Sequence, residues 1–234
     1  ADTNLWRGLS LRDVEAEQLI DLYSSLGVVG DHNILKNKAR SIKSIAKDPI
    51  AVACCRILRD FRPLSRIIHD LEQDSSSMDF DRFICAALAQ YCFGSGVRYE
   101  VLTKAISPDG VEFQFSGSRP LPLAFSDTAR NYVVPENSTI GAAVLDAFAE
   151  RERGRLLEIY VGLAIELQPY VNRQTIKRRM PEARLSGRLF DYDDVVSRLL
   201  GSLAEDFYER VREYWKWNSR YWEQVALLQL SHFN

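Results

Sequence analysis

The chain has 234 residues, enough for one or two domains with a real core. Charged residues make up 26% and hydrophobic ones 46%, the balance of an ordinary soluble globular chain. With a formal net charge of -2, no global field draws it to nucleic acid or membrane, and no apolar run approaches a membrane span. No signal-peptide pattern opens the sequence. The polar start at Ala1, without a Met, sets the expectation of a segment excised from a longer protein.

Residues 10–26 read as a helix. Ser10 and Asp13 resemble a capping box, with Asp in place of Glu. Leu19, Leu22, Tyr23 and Leu26 recur at helical spacing, and Gly27 supplies a left-handed stop. A turn over 28–33 leads to a short basic helix at 36–46, with Ile42 and Ile45 inward. Its Lys36, Lys38, Arg40, Lys43 and Lys47 form a solvated face or, less simply, a nucleic-acid patch. Asp48 then caps a helix over 50–58, with Pro49 at the first helical position, where its missing N–H costs nothing. That helix is apolar nearly all round, so it is expected to be buried. After Pro63 a second stripe runs through Leu64, Ile67, Ile68 and Leu71. The polar stretch 74–77 marks a subdomain boundary.

A helix is expected over 78–91, with Phe80, Phe83, Ile84, Leu88 and Tyr91 on its apolar side. Gly94-Ser95-Gly96 forms a tight turn, and residues 97–106 form the next helix. Together they have the form of a helix-turn-helix, the recognition half of a winged-helix domain. Strands at 111–115 and 131–134, with Pro120 and Pro122 bracketing a loop between them, would make the wing. The remainder reads as helices. One covers 139–148 and another 151–167, the latter with a wide stripe ended by Pro169. A basic run follows at 172–184. Asp191 opens a helix through Leu200, broken by Gly201; an aromatic helix covers 202–217 and a last one 221–230. The expected fold class is mainly α: a helical lid subdomain (1–75), a winged-helix domain (76–135), a helical linker domain (136–217) and the start of a tetratricopeptide-like repeat (218–234).

Cys54, Cys55, Cys85 and Cys92 have no bridging geometry along their helices and read as reduced thiols, which fits a cytoplasmic location. His32, His69 and His232 are scattered, so no metal site is expected. No Gly-x4-Gly-Lys-Ser/Thr loop, Gly-x-Gly-x-x-Gly turn or Gly-x-Ser-x-Gly elbow occurs, and no catalytic constellation is visible. By itself the chain is expected not to be an enzyme and to hold no cofactor. Asp191, Asp193 and Asp194 at a helix start read as cap and dipole compensation. A groove-reading helix at 97–106 would have only Arg98 and Lys104 beside Glu100. The better nucleic-acid candidate is the run with Arg173, Lys177, Arg178, Arg179 and Arg184, although a solvated face or an intramolecular acidic partner explains it more simply. Trp215, Trp217 and Trp222 read first as helix-pair packing, and second as a surface for a protein partner.

The series of motifs resembles STAND NTPases, the signal-transducing class that includes nucleotide-binding leucine-rich-repeat receptors. Leu9-Ser-Leu-Arg-Asp-Val-Glu-Ala-Glu-Gln-Leu-Ile20 resembles the segment that leaves their nucleotide-binding core. Lys47-Asp-Pro-Ile-Ala-Val-Ala-Cys-Cys-Arg-Ile-Leu-Arg59 is similar to their Gly-x-Pro segment, which opens a helical lid; here Asp48 stands where a small residue is common. Residues 80–106 are similar to their winged helix, and Asn218-Ser-Arg-Tyr-Trp-Glu-Gln-Val-Ala-Leu-Leu228 resembles the first helix of a tetratricopeptide-like array. The resemblance implies a parent with ATP or ADP and magnesium on an upstream core, Pro49 near that nucleotide, and a winged helix packed on the core at rest. It also implies a protein target or trigger, oligomerisation, and a role in prokaryotic antiviral defence. Three expectations follow: a non-catalytic regulatory segment of such an NTPase, a winged-helix nucleic-acid binder, or a helical-repeat interaction scaffold.

Overall fold

The computed structural model describes residues 10–25, 38–48, 50–58, 64–107, 109 and 122–232. The fold is mainly helical, and the described strands form one small three-stranded sheet. The chain divides into two compact units, Ala1–Gln73 and Asp74–Asn234. Gly27, Pro49, Pro63 and the strand expected at 111–115 lie outside the described residues. Among the described residues no helix is long and apolar enough to cross a membrane.

In the first unit, α1 (Asp13–Ser25), α2 (Lys38–Ile45) and α3 (Ile50–Leu58) enclose a core of Leu11, Ala16, Ile20, Ile45, Ala53 and Ile57. The buried stripe of α1 is rotated from the expected one: Ile20 is fully buried while Leu22 is 53% exposed. The start differs too. Arg12 occupies the cap position, and Glu15 accepts its backbone N–H at 2.9 Å, so only the reciprocal half of a capping box forms. On the expected solvated face Arg40, Lys43 and Lys47 are exposed, and Lys38 is partly covered. It bridges Glu17 (2.9 Å) and Asp21 (2.8 Å) on α1 and so ties the basic helix to the acidic one. Backbone bonds clasp the two ends of this segment: Leu11 N–H donates to the Asp48 carbonyl (2.9 Å) and Lys47 N–H to the Leu11 carbonyl (2.8 Å). The unit continues into α4 (Leu64–Asp74), whose buried residue Ile68 belongs to the expected stripe.

The second unit opens with α5 (Ser77–Cys92). Ser76, in the expected linker, is its N-cap and accepts the Asp79 N–H at 3.1 Å. Phe80, Phe83, Ile84, Cys85 and Leu88 are buried along it. The single helix expected over 97–106 is in fact a strand followed by a helix: β1 (Val97–Arg98) and α6 (Tyr99–Ile106). Gly96 causes this. At φ +82° it turns the chain back, and an added Cβ would collide with the Val133 carbonyl oxygen. Val97 and Arg98 therefore arrive beside β3 (Tyr132–Pro135), pairing with Val133 and Tyr132. The second wing strand lies where a loop is expected: β2 (Leu123–Phe125) pairs antiparallel with β3, Phe125 opposite Val133, in the sheet order β1-β3-β2. Pro122 immediately precedes this edge strand, where no ladder N–H is needed.

The helices α7 (Ser138–Arg151) and α8 (Arg153–Leu167) complete the core around α5 and α6. Phe80 meets Phe148 edge-on at 5.7 Å. Where α6 crosses α8, Gly162 lies against the Ala105 carbonyl so closely that a Cβ would overlap it. Beyond a 3-10 turn come α9 (Arg173–Lys177) and α10 (Pro181–Leu189). A π-helical turn (Tyr192–Val196) and α11 (Ser197–Leu200) replace the uniform helix expected over 191–200, and α12 (Ala204–Trp215) and α13 (Ser219–Ser231) follow. Phe190 is the centre of this half. It packs on Phe207 (5.5 Å), Trp215 (4.8 Å), Tyr208 (6.4 Å) and Tyr221 (6.1 Å). Tyr160 and Tyr208 donate their hydroxyls to the Leu189 (3.2 Å) and Phe190 (2.7 Å) carbonyls, satisfying the end of α10 inside the core.

The α6–α8 crossing yields a paired test. Gly162→Ala gains helix propensity but forces two backbones apart, and it is expected to lower stability by about 2 kcal/mol in urea unfolding. Gly187→Ala on α10 meets nothing within 4 Å and is expected to raise it by about 0.5–1 kcal/mol.

Candidate functional site

Of the two cations that a groove-reading helix would use, Arg98 is engaged elsewhere. On α6, Val101, Leu102 and Thr103 are buried, and the helix packs along α8. Lys104 is exposed. Arg98, on β1, donates from Nε (2.9 Å) and Nη2 (2.8 Å) to Glu182 Oε1 in the first turn of α10. Tyr132 on β3 donates its hydroxyl to the same oxygen at 2.8 Å. The Arg98 guanidinium also lies over the Tyr132 and Tyr170 rings, 5.6 and 5.1 Å from their centroids. Tyr170 in turn donates to Glu100 at 3.1 Å. Burial pushes the Glu182 carboxyl upward, but the bonds from Tyr132 and Arg98 outweigh it and hold the group below its ordinary value. Burial first, and the Glu182 carboxylate second, push the Tyr132 phenol up to about 12. Arg98 is thus a structural clasp between sheet and α10.

The four cations proposed from sequence fall together. Arg173 and Lys177 begin and end α9, Arg178 is its C-cap and Arg179 follows. All four are exposed, and none makes an ion pair among the described residues. The rest of the basic run diverges: Arg184, on α10, covers the ring of Phe93 at the end of α5, 4.7 Å from its centroid. The run is therefore two helices rather than one continuous basic face. Asn172 and Thr175 form a full capping box at the start of α9. At its end Arg179 N–H donates to the Ile176 carbonyl and Met180 N–H to the Thr175 carbonyl, both at 3.0 Å, the Schellman pattern. This pattern normally takes glycine, yet Arg179 holds φ +55°. Ile176 and Met180, each 42% exposed, lie among the cations. Neither stands out in the sequence, because an isolated apolar residue within a basic run carries no periodic signal.

The acidic trio works as a cap and an ion-pair centre. Asp191 accepts the Asp194 N–H at 3.2 Å and pairs with Arg188 (3.1 Å) and Arg220 (3.2 Å). The tryptophans separate. Trp215 is fully buried and donates to the Ala164 carbonyl at 3.0 Å, while Trp217 and Trp222 are 39% and 44% exposed. Pro49 lies outside the described residues. Cys85 and Cys92 are buried free thiols whose burial raises their pKa, leaving them inert.

Two tests follow. Because the fold holds the Glu182 carboxyl below its ordinary 4.5, its contribution is present above that value and is lost as pH falls through the folded value. Glu182→Gln is expected to lower stability at neutral pH by about 1–2 kcal/mol and to flatten the acid limb of a urea-unfolding pH series. Arg179→Gly is expected to raise stability by about 0.5–1 kcal/mol, since relief of the left-handed strain exceeds the added freedom of the unfolded chain; Arg179→Ala keeps the strain and shows no such gain.

Comparisons with protein-family models, with curated proteins and with solved structures find no match, so none of them identifies the chain as a segment of a STAND NTPase.

Proposed function

We propose that the chain is the non-catalytic regulatory segment of a STAND-type NTPase. In this reading residues 1–75 act as a helical lid, the sheet with α5 and α6 as a winged helix, and the later helices as the base of a repeat array. Its work is to couple nucleotide state and target sensing to conformational switching or oligomerisation, in prokaryotic antiviral defence. The nucleotide and magnesium belong to a core upstream of Ala1, and Pro49 is the residue of this chain that approaches them.

The observation that supports the reading is the condition of α6. A groove-reading helix needs a free face with side chains that reach base edges. Here one face of α6 is held along α8 at the Gly162–Ala105 contact, its exposed face offers only Lys104 beside the acidic Glu100, and Arg98 is committed to Glu182. A winged helix used in this way is a packing module, which is what a switch requires: rigid bodies whose contacts differ in free energy between two arrangements. The division of the chain into two compact units after Gln73 supports this reading.

The reading frame upstream of Ala1 tests this. It is expected to encode a Gly-x4-Gly-Lys-Ser/Thr loop, and a start codon immediately before Ala1 overturns the reading. Calorimetric titration of the 234-residue chain with ATP or ADP and magnesium is expected to show no binding; tight stoichiometric binding overturns it equally.

A further inference from the structure

We propose that residues 173–180 form a docking surface for an acidic amphipathic segment of a protein partner. This surface does not depend on the nucleotide reading above. Between Glu166 and Glu182 the sequence contains no Asp or Glu. Glu182 is itself buried and bound to Arg98 and Tyr132. Arg173, Lys177, Arg178 and Arg179 make no ion pair among the described residues and so form a positive patch there, on a chain whose formal net charge is -2. Other cations of the same unit are neutralised locally: Arg155 by Asp81 (2.8 Å), Arg198 by Asp146 (2.8 Å), Arg210 by Glu158 (2.6 Å) and Lys216 by Glu213 (2.6 Å).

The partner's chemistry follows from what accompanies the charge. Ile176 and Met180 stand among the cations with nearly half their surface in water. A sugar-phosphate backbone rewards cations but gains nothing from aliphatic side chains. A protein segment with carboxylates beside Leu or Ile rewards both. Arginine matches a carboxylate with two parallel hydrogen bonds, and methionine adapts to irregular apolar partners. Five helical residues rise only about 7 Å, so the patch is small. It fits one or two turns of a partner helix, and binding is expected to be weak and sensitive to salt. Arg179 occupies a left-handed position that glycine would fill without strain, so the arginine stands there at a cost to the fold.

The test titrates the full chain into a labelled synthetic peptide helix with Glu on one face and Leu along its edge, read by fluorescence anisotropy at low salt. Saturable binding is expected, with a Kd of roughly micromolar order. The triple variant Arg173→Glu, Lys177→Glu, Arg178→Glu is expected to weaken it about tenfold or more. Ile176→Ser with Met180→Ser is expected to weaken it about threefold to tenfold, as is replacing the peptide's Leu by Ser. A control with the same kind of charge reversal elsewhere, Arg212→Glu on α12 with Lys216→Glu at its C-cap, is expected to change it by less than about twofold. All these side chains are exposed, so the variants keep the fold. The proposal is overturned if the peptide shows no saturable binding, if either docking variant binds like the parent, or if the α12 control weakens binding as much as the triple variant. It is also overturned if random-sequence duplex DNA binds at least as tightly as the peptide, which would assign the patch to nucleic acid.

Discussion

The end of α10 is the point on which the second unit depends. A helix that stops inside a core leaves carbonyls without partners, and each unsatisfied one costs about 1–3 kcal/mol. Here Tyr160 and Tyr208 reach the Leu189 and Phe190 carbonyls from two other helices, and Tyr221 donates to the Tyr208 carbonyl at 3.0 Å. Phe190 can then turn inward and gather Phe207, Trp215 and Tyr221 around its ring. Burial drives the Tyr160 and Tyr208 phenols well above their ordinary pKa, so they remain neutral donors throughout the working range. Aromatic bulk and polar satisfaction thus come from the same side chains, which lets α8, α12 and α13 meet at the end of α10.

The winged-helix portion is anchored by different means. Gly96 and Gly162 admit close backbone contacts at opposite ends of α6, one to β3 and one to α8. The Arg98–Glu182–Tyr132 cluster then locks the sheet to α10 by charge-assisted hydrogen bonds. Because Glu182 is 4% exposed and accepts from three donor atoms, its charge is well compensated and the clasp is directional. Helix, sheet and the mount of the basic patch therefore form one connected framework within this unit.

Much of the helical order is legible in the sequence because apolar spacing repeats over several turns. The helices around Phe80, Leu156 and Phe207 are instances. Boundaries are less legible where a single residue decides. Val97 and Arg98 continue a helical-looking pattern, and only the positive φ at Gly96 makes them a strand. Leu123–Phe125 is too short for alternation to register, and its pairing with β3 depends on tertiary context. The basic residues 173 to 179 are visible as a charge run, but not their division from Arg184, which follows from Arg179 reversing the chain. Glu182 is invisible as a structural hub: a lone acid at a helix start reads as dipole compensation, and its partners lie 50 and 84 positions away. Phe190 gives no periodic signal because it lies just past a helix end.

The brackets at both ends of α9 have a consequence for recognition. A helix of five residues has too few internal bonds to persist alone in water. Closed by Asn172 and Thr175 in front and by the Arg179–Met180 reversal behind, its main chain is already fixed before any encounter. Association there would immobilise side chains but would not have to order the backbone, so a contact area too small for a floppy loop becomes sufficient for a preorganised one.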